Sequence, residues 1–310
     1  MKIAIMLALH NNPEQANVFI RQCLTSEECD VFIHIDRKGL NIKDDLITHQ
    51  RAHVLPYSYM VEWGDVSQIE YVIYMMQYIH EFGHYDYYSI HSGSDLLVRP
   101  MSELTEYLKK SRRYAYLDCH PLPWKEWQYG GGLGRLALYW PDCFRKRLKR
   151  PSILHAMRAV YGRLYGMGLL KGRKLPDNIQ FWGKTAWYTL SGECVDDCLR
   201  YLYRHPAYLE LFRYSLCGDE IFFNTLVHIV SHGKEIEDHN NLRYVDMKQG
   251  ERKNVGAPKT LTMDDIRRIK TSGAFLARKA DVSVDADLVS YYIRLTIDSS
   301  QTHSDVYGKI

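Results

Sequence analysis

The stretch that decides the fold is KIAIMLAL, residues 2–9, with HNNPEQANVFIRQCL directly behind it at 10–24. After Lys2 the run is continuously apolar, without the polar alternation of a half-exposed strand, so it reads as a strand covered on both faces. Asn-Asn-Pro then breaks it, and the residues beyond Pro13 take helical spacing. Working outward, VFIHID (31–36) is a second strand of the same kind and HVLPY (53–57) a weaker third. VSQIEYVIYMMQYIHEFG (66–83) predicts an amphipathic helix, YDYYSIHSGSD (85–95) a strand running into a loop, and PMSELTEYLKKS (100–111) a helix opened by Pro. RYAYLDC (113–119) closes the set. Strands alternating with helices at this spacing imply right-handed crossovers and a mainly parallel, Rossmann-like sheet flanked by helices.

The chain of 310 residues is long for one small core and short for two independent ones, which predicts a single large α/β domain. Three segments are expected in it: a nucleotide-sugar-binding half at 1–120, an irregular basic and aromatic insertion at 121–176, and an acceptor-binding and catalytic half at 177–310. The last half holds QFWGKTAWYTLS (180–191) as a strand, ECVDDCLRYLYRHP (193–206) and GDEIFFNTLVHIV (218–230) as helices, then NLRYVDM, DDIRRIKTS, AFLARKAD and a final helix from 285. In the insertion, GGGLGR (130–135) lacks the preceding strand and the Lys-Ser/Thr of a phosphate loop, so a turn or acceptor-side loop is the better reading.

Composition is that of an ordinary globular protein, 46% hydrophobic and 25% charged. A net charge of +3 is too small to argue for nucleic acid as a partner, and the basic run 145–150 is either a solvated face or one that meets an anionic membrane surface or a phosphate-bearing ligand. Seven cysteines without paired CxxC elements predict free thiols and no zinc site. The short apolar N-terminus and the lack of a later span predict a cytoplasmic protein, peripheral at most to the inner face of the plasma membrane.

Ligands of doubly wound sheets sit at the carboxyl ends of the parallel strands. His10, Asp36 and the loop Ser92–Gly93–Ser94–Asp95 fall at such ends. Asp36 can accept hydrogen bonds from a ribose or base edge, or it can cap the following turn. Ser94 and Asp95 occupy the place of the Asp-x-Asp with which metal-dependent sugar-nucleotide transferases hold a divalent ion, but only one carboxylate remains. The literal Asp-x-Asp, Asp285 to Asp287, reads as a helix cap. Asp219 and Glu220 open an apolar helix; the macrodipole accounts for one acid, and the second, Glu220, can serve as a general base while Asp219 orients. Arg278 and Lys279 follow an apolar run, where a buried cation requires an anion: a diphosphate is one, and an internal ion pair between Lys279 and Asp281 is the alternative. Lys259 and Arg252 offer further cations.

HIDRKG, Trp63–Gly64, YYSIHSGSD, FWGKTAWYTLS, GDEIFFNTL, NLRYVD and SGAFLARKAD, in that order, resemble the core-2/I-branching N-acetylglucosaminyltransferase family, glycosyltransferase family 14, which includes the peptide xylosyltransferases. The resemblance runs from about residue 3 to 295. It implies a GT-A type fold and inverting transfer, without a metal or other cofactor, from a UDP-sugar to a glycan or lipid-linked acceptor. It also implies Glu220 as base, Lys279 as the main diphosphate cation with Lys259 or Arg252 as the second, Asp36 at the uridine end, and Trp187 and Tyr244 at the acceptor. It departs from the family at Leu96 and Leu97, which replace Asp-x-Pro after the loop, at Cys217, which replaces a Pro, and in LARKAD, which lacks two aromatics. Without the anchor and disulfides of animal members, the chain resembles a bacterial relative that adds GlcNAc in surface polysaccharide synthesis. Two alternatives stay open: a metal-dependent GT-A enzyme using Asp95, and a non-catalytic sugar-nucleotide-binding module.

Overall fold

A computed structural model describes residues 1–149, 151–247 and 258–297. Its strands are β1 (Ile3–Leu9), β2 (Cys29–Ile35), β3 (Ala52–Val54), β4 (Tyr87–Ser92), β5 (Asp95–Leu97), β6 (Ala115–Tyr116), β7 (Cys119–Pro121), β8 (Trp182–Lys184), β9 (Thr189–Ser191), β10 (Ile236–Glu237), β11 (Arg243–Val245) and β12 (Leu276–Arg278). Its helices are α1 (Pro13–Leu24), α2 (Ser67–Phe82), α3 (Met101–Ser111), α4 (Gln128–Gly131), α5 (Gly134–Ala137), α6 (Ile153–Gly166), α7 (Gly192–Arg204), α8 (Ala207–Glu210), α9 (Asp219–Val230), α10 (Ile266–Ser272) and α11 (Ala286–Thr296). The fold is α/β with a mainly parallel sheet flanked by helices. Two compact units interleave along the chain: Met1–Tyr57 with Tyr85–Arg112 and the segment from Leu242 onward form one, and Ser58–His84 with Arg113–Asn241 the other.

In the first unit the strands run parallel in the order β4-β1-β2-β3, with Ile3 opposite both Cys29 and Tyr87. Ile3, Ala4, Ile5, Met6 and Leu7 of β1 are all buried, as their unbroken apolar character requires. α1 begins where predicted: Asn12 Oδ1 accepts the Gln15 N–H at 3.2 Å and Pro13 fills the first turn. Its Phe19 and Ile20 enter the core. A second sheet, β11-β12-β5, has β11 parallel and β5 antiparallel to β12. β5 was not anticipated; the loop after β4 turns within two residues because Leu96 and Leu97 pair with β12 and bury their side chains. Asp285 caps α11 by accepting the Leu288 N–H at 2.8 Å, as read from the sequence.

The second unit orders β10-β6-β9, with β6 antiparallel to β9, and pairs β7 with β8. Its central helix, α9, buries Ile221, Phe222, Phe223, Leu226, Val227 and Val230. QFWGKTAWYTLS is two short strands and not one. The Trp182 N–H donates to Thr225 Oγ1 at 2.9 Å, that hydroxyl donates back to the Trp182 carbonyl at 3.1 Å, and Asn224 Nδ2 donates to the Thr185 carbonyl at 2.8 Å, so the segment follows α9 before it returns as β9. The stretch 121–176, expected to be irregular, contains the 14-residue α6, started by Ser152 accepting the His155 N–H at 3.2 Å. All seven cysteines are free thiols. No helix among the described residues is long and apolar enough to cross a membrane.

Candidate active site

The first unit carries the residues assigned to the donor. Asp36 follows β2, and its backbone N–H donates to the Leu9 carbonyl at 2.7 Å. Its carboxylate accepts the Lys38 N–H at 2.9 Å and so caps the turn that follows. That turn lies against His10: a Cβ on Gly39 would meet the His10 carbonyl oxygen at 2.3 Å, so only glycine lets the two loops approach. Burial drives His34 down to about 4, so the imidazole beside Asp36 in sequence is neutral near pH 7.

Asp95 is wholly buried. It stands directly opposite Arg278 across the antiparallel β5–β12 pair, with Arg278 Nε 3.6 Å from its carboxylate. His91 Nδ1 lies 3.1 Å from its other oxygen. Burial works against the Asp95 charge, but the Arg278 guanidinium and the His91 bond outweigh it and hold the carboxyl below its ordinary range. The cation that LARKAD places in the interior thus has Asp95 as its anion. Ser94 is laced to the same strand end, its carbonyl accepting the Ala280 N–H at 2.8 Å. The Lys279 carbonyl accepts the Leu261 N–H at 2.8 Å, and the Lys279 N–H reaches the Lys259 carbonyl at 3.4 Å, so both lysines sit on one local framework. The Lys279 side chain is half-buried. Lys259 Nζ grips the buried Asp265 at 2.8 and 3.0 Å. Tyr244 lies on β11 opposite Ala277. Arg252 lies outside the described residues.

The second unit carries the candidate base. Asp219 and Glu220 form the first turn of α9, and Glu220 ion-pairs with Arg135 of α5 while keeping 34% of its side chain exposed. The Arg135 guanidinium stacks 4.0 Å from the Trp127 ring, which fixes its plane. β8 passes close to this turn because residue 183 is glycine: a Cβ there would sit 3.0 Å from the Glu220 carbonyl oxygen and 3.1 Å from Trp127. Asn224, one helical turn on and buried, donates both to the Glu220 carbonyl and to the Thr185 carbonyl, each at 2.8 Å. The Trp187 carbonyl accepts the Thr185 hydroxyl at 3.5 Å and Asn241 Nδ2 at 3.3 Å. One asparagine therefore ties the turn that carries Glu220 to the loop that holds Trp187. Arg135, Trp127 and Asn224 were not singled out from the sequence. The available signal was an amide one turn beyond Glu220 in a largely apolar helix, and a lone arginine after a glycine cluster.

Asp219 Oδ1 is buried with no hydrogen-bond partner among the described residues. Burial, then the Glu220 charge, push its carboxyl up to about 7 against the pull of Arg135. The folded value lies above the unfolded one of about 4, so the folded chain retains a proton that the unfolded chain releases between those limits; this group weakens the fold progressively as pH rises through that window. Comparing Asp219→Asn with the parent in urea at about pH 5 and about pH 8 should show the variant gaining relative stability at the higher pH. A gap that stays constant between the two would contradict the elevated carboxyl.

Among the described residues, Cys119, His228 and Asp238 form a group able to hold a metal, with their ligating atoms within 4.8 Å of one another. His228 Nδ1 donates to the Asn224 carbonyl at 2.7 Å, and Nε2 faces Asp238 at 3.1 Å. Asp95 is not a member of it.

Residues 22–270 match the family model described as Branch, core-2/I-branching enzyme. A match over that span makes the protein a glycosyltransferase, and the α/β fold agrees with the GT-A type expected of one. The chain belongs to the core-2/I-branching enzyme family. No curated protein matches it.

Proposed function

We propose that the protein is an inverting, metal-independent glycosyltransferase that moves a sugar, GlcNAc in the first instance, from a UDP-sugar to a hydroxyl of a glycan or lipid-linked acceptor in polysaccharide synthesis. The observation that carries the reading is the Glu220 carboxylate, which is partly open to solvent at the start of a buried helix and is held by Arg135, while Asn224 bonds the backbone carbonyl of the same residue. The acceptor hydroxyl, placed by Trp187 and Tyr244, gives its proton to Glu220 as its oxygen attacks the anomeric carbon. The bond to the UDP oxygen breaks on the opposite face, and the configuration inverts. Lys279 and a second cation, Lys259 or Arg252, meet the charge that develops on the departing diphosphate. Asp36 and His10 serve the nucleoside end.

Metal independence is supported by the chemistry around Asp95. Its carboxylate already faces a guanidinium and an imidazole inside the core, and a divalent ion would have to displace Arg278 to reach it. Turnover should therefore persist in excess EDTA. Complete loss that manganese restores would replace this reading with a metal-dependent one. Screening UDP-GlcNAc, UDP-glucose, UDP-galactose and UDP-xylose for hydrolysis and transfer tests the donor, with UDP-GlcNAc expected to lead; no turnover of any of them would refute the UDP-sugar assignment.

A further inference from the structure

α6 presents two different faces. On one, Tyr161 and Tyr165 pack against the buried cluster of Leu138, Trp140 and Phe144, while Arg158 donates to the Phe144 and Lys146 carbonyls at 3.0 and 3.2 Å. On the other, Ile153, Met157, Val160, Leu164 and Met167 recur at the i, i+4, i+7, i+11, i+14 spacing of a single helical stripe. All five are exposed, from 36% at Leu164 to 80% at Ile153, and Leu169 extends the stripe at 70%. Single exposed apolar residues are ordinary; a continuous helical row of them is a surface that something covers.

The surrounding charge indicates what covers it. Lys146, Arg147 and Lys149 precede the helix, Arg163 lies within it and Lys171 follows, all exposed. No acidic residue occurs between Asp142 and Asp177. The basic run noted in the sequence is only partly surface: Arg145 turns inward to pair with Asp65 and Asp142, and Arg150 lies outside the described residues. A protein partner or a second copy would satisfy the apolar stripe, but a rim of one sign selects an anionic surface. Trp63, exposed beside the Arg158 guanidinium at 5.3 Å, is the kind of ring that settles at headgroup level. We infer that α6 is an interfacial anchor that lies in the plane of an anionic lipid bilayer, its apolar stripe among the acyl chains and its flanking lysines and arginines on the headgroups. The inference is independent of the transferase reading, since it uses neither Glu220 nor the donor residues.

Flotation of the full chain with vesicles tests it, using phosphatidylcholine alone and phosphatidylcholine containing roughly one part in three phosphatidylglycerol. The parent should float with the anionic vesicles and much less with the neutral ones. Met157→Asp with Val160→Asp should lower anionic-vesicle binding by about tenfold or more. Lys146→Glu with Arg147→Glu and Lys149→Glu should remove the preference for anionic lipid. All these side chains are exposed, so the thermal midpoint should hold. If the aspartate variant nonetheless unfolds, the charge variant decides alone. A parent that stays at the bottom with both vesicle types overturns the inference, as does an aspartate variant that floats like the parent. Self-association through α6 in light scattering without flotation would also overturn it, assigning the stripe to a second copy.

Discussion

Glu220→Gln should retain UDP binding within a few-fold and lose transfer by about 10²- to 10⁴-fold, the usual range for removing a positioned general base. The amide keeps the size and the helix position of the carboxylate. Asn224 bonds the backbone carbonyl of residue 220 and not its side chain, so the tie to the Trp187 loop survives the change. The substitution removes the carboxylate proposed to take the proton and the charge that faces Arg135. Arg135 remains seated on Trp127 and partly exposed, so its desolvation changes little and the thermal midpoint should move modestly. Lys279 and Lys259, proposed for the diphosphate, belong to a different framework of hydrogen bonds, which is why nucleotide affinity and turnover should separate. Isothermal titration with UDP beside single-turnover transfer measures both quantities on one sample. A glutamine variant that transfers sugar at the parent rate would remove Glu220 from the chemistry and leave the mechanism without a base.

Residues whose role is set by nearest neighbours in sequence were legible before the structure. The uninterrupted apolar run of β1, the Asn-Pro start of α1 and the Asp285 cap each follow from local chemistry, and the structure shows each as read. The partner of a buried charge was not legible in the same way. LARKAD required an anion near Arg278, and nothing local distinguishes a bound diphosphate from Asp95, which lies far away in sequence and meets Arg278 only because β5 and β12 pair. The same limit applies to Arg135, whose partner Glu220 is brought to it by tertiary folding. α6 escaped for another reason: helix prediction relies on an apolar face matched by a polar one, and a helix with an inward aromatic face and an outward aliphatic one has little such contrast.

Asp95→Ala should destabilise the fold by about 3–5 kcal/mol, the cost typical of breaking a buried ion pair by removing one member. Arg278 keeps only 7% of its side chain exposed, and it is anchored by strand pairing, so it cannot swing out to water when its anion is deleted. His91, wholly buried, loses the acceptor for its Nδ1 at the same time. The midpoint in urea should fall while the slope of the transition stays unchanged, because the surface exposed on unfolding is the same. Adding Arg278→Met to the alanine variant should recover part of the loss, since no charge is then left buried and the sulfur-containing chain fills similar space. That recovery distinguishes an internal ion pair from a metal ligand. Were Asp95 a ligand, the alanine variant would be as stable as the parent in metal-free buffer, its defect would appear only as manganese-dependent activity, and the second substitution would repair nothing. A loss below about 1 kcal/mol in metal-free buffer would therefore return Asp95 to the donor site and undo the electrostatic argument for a reaction that needs no metal.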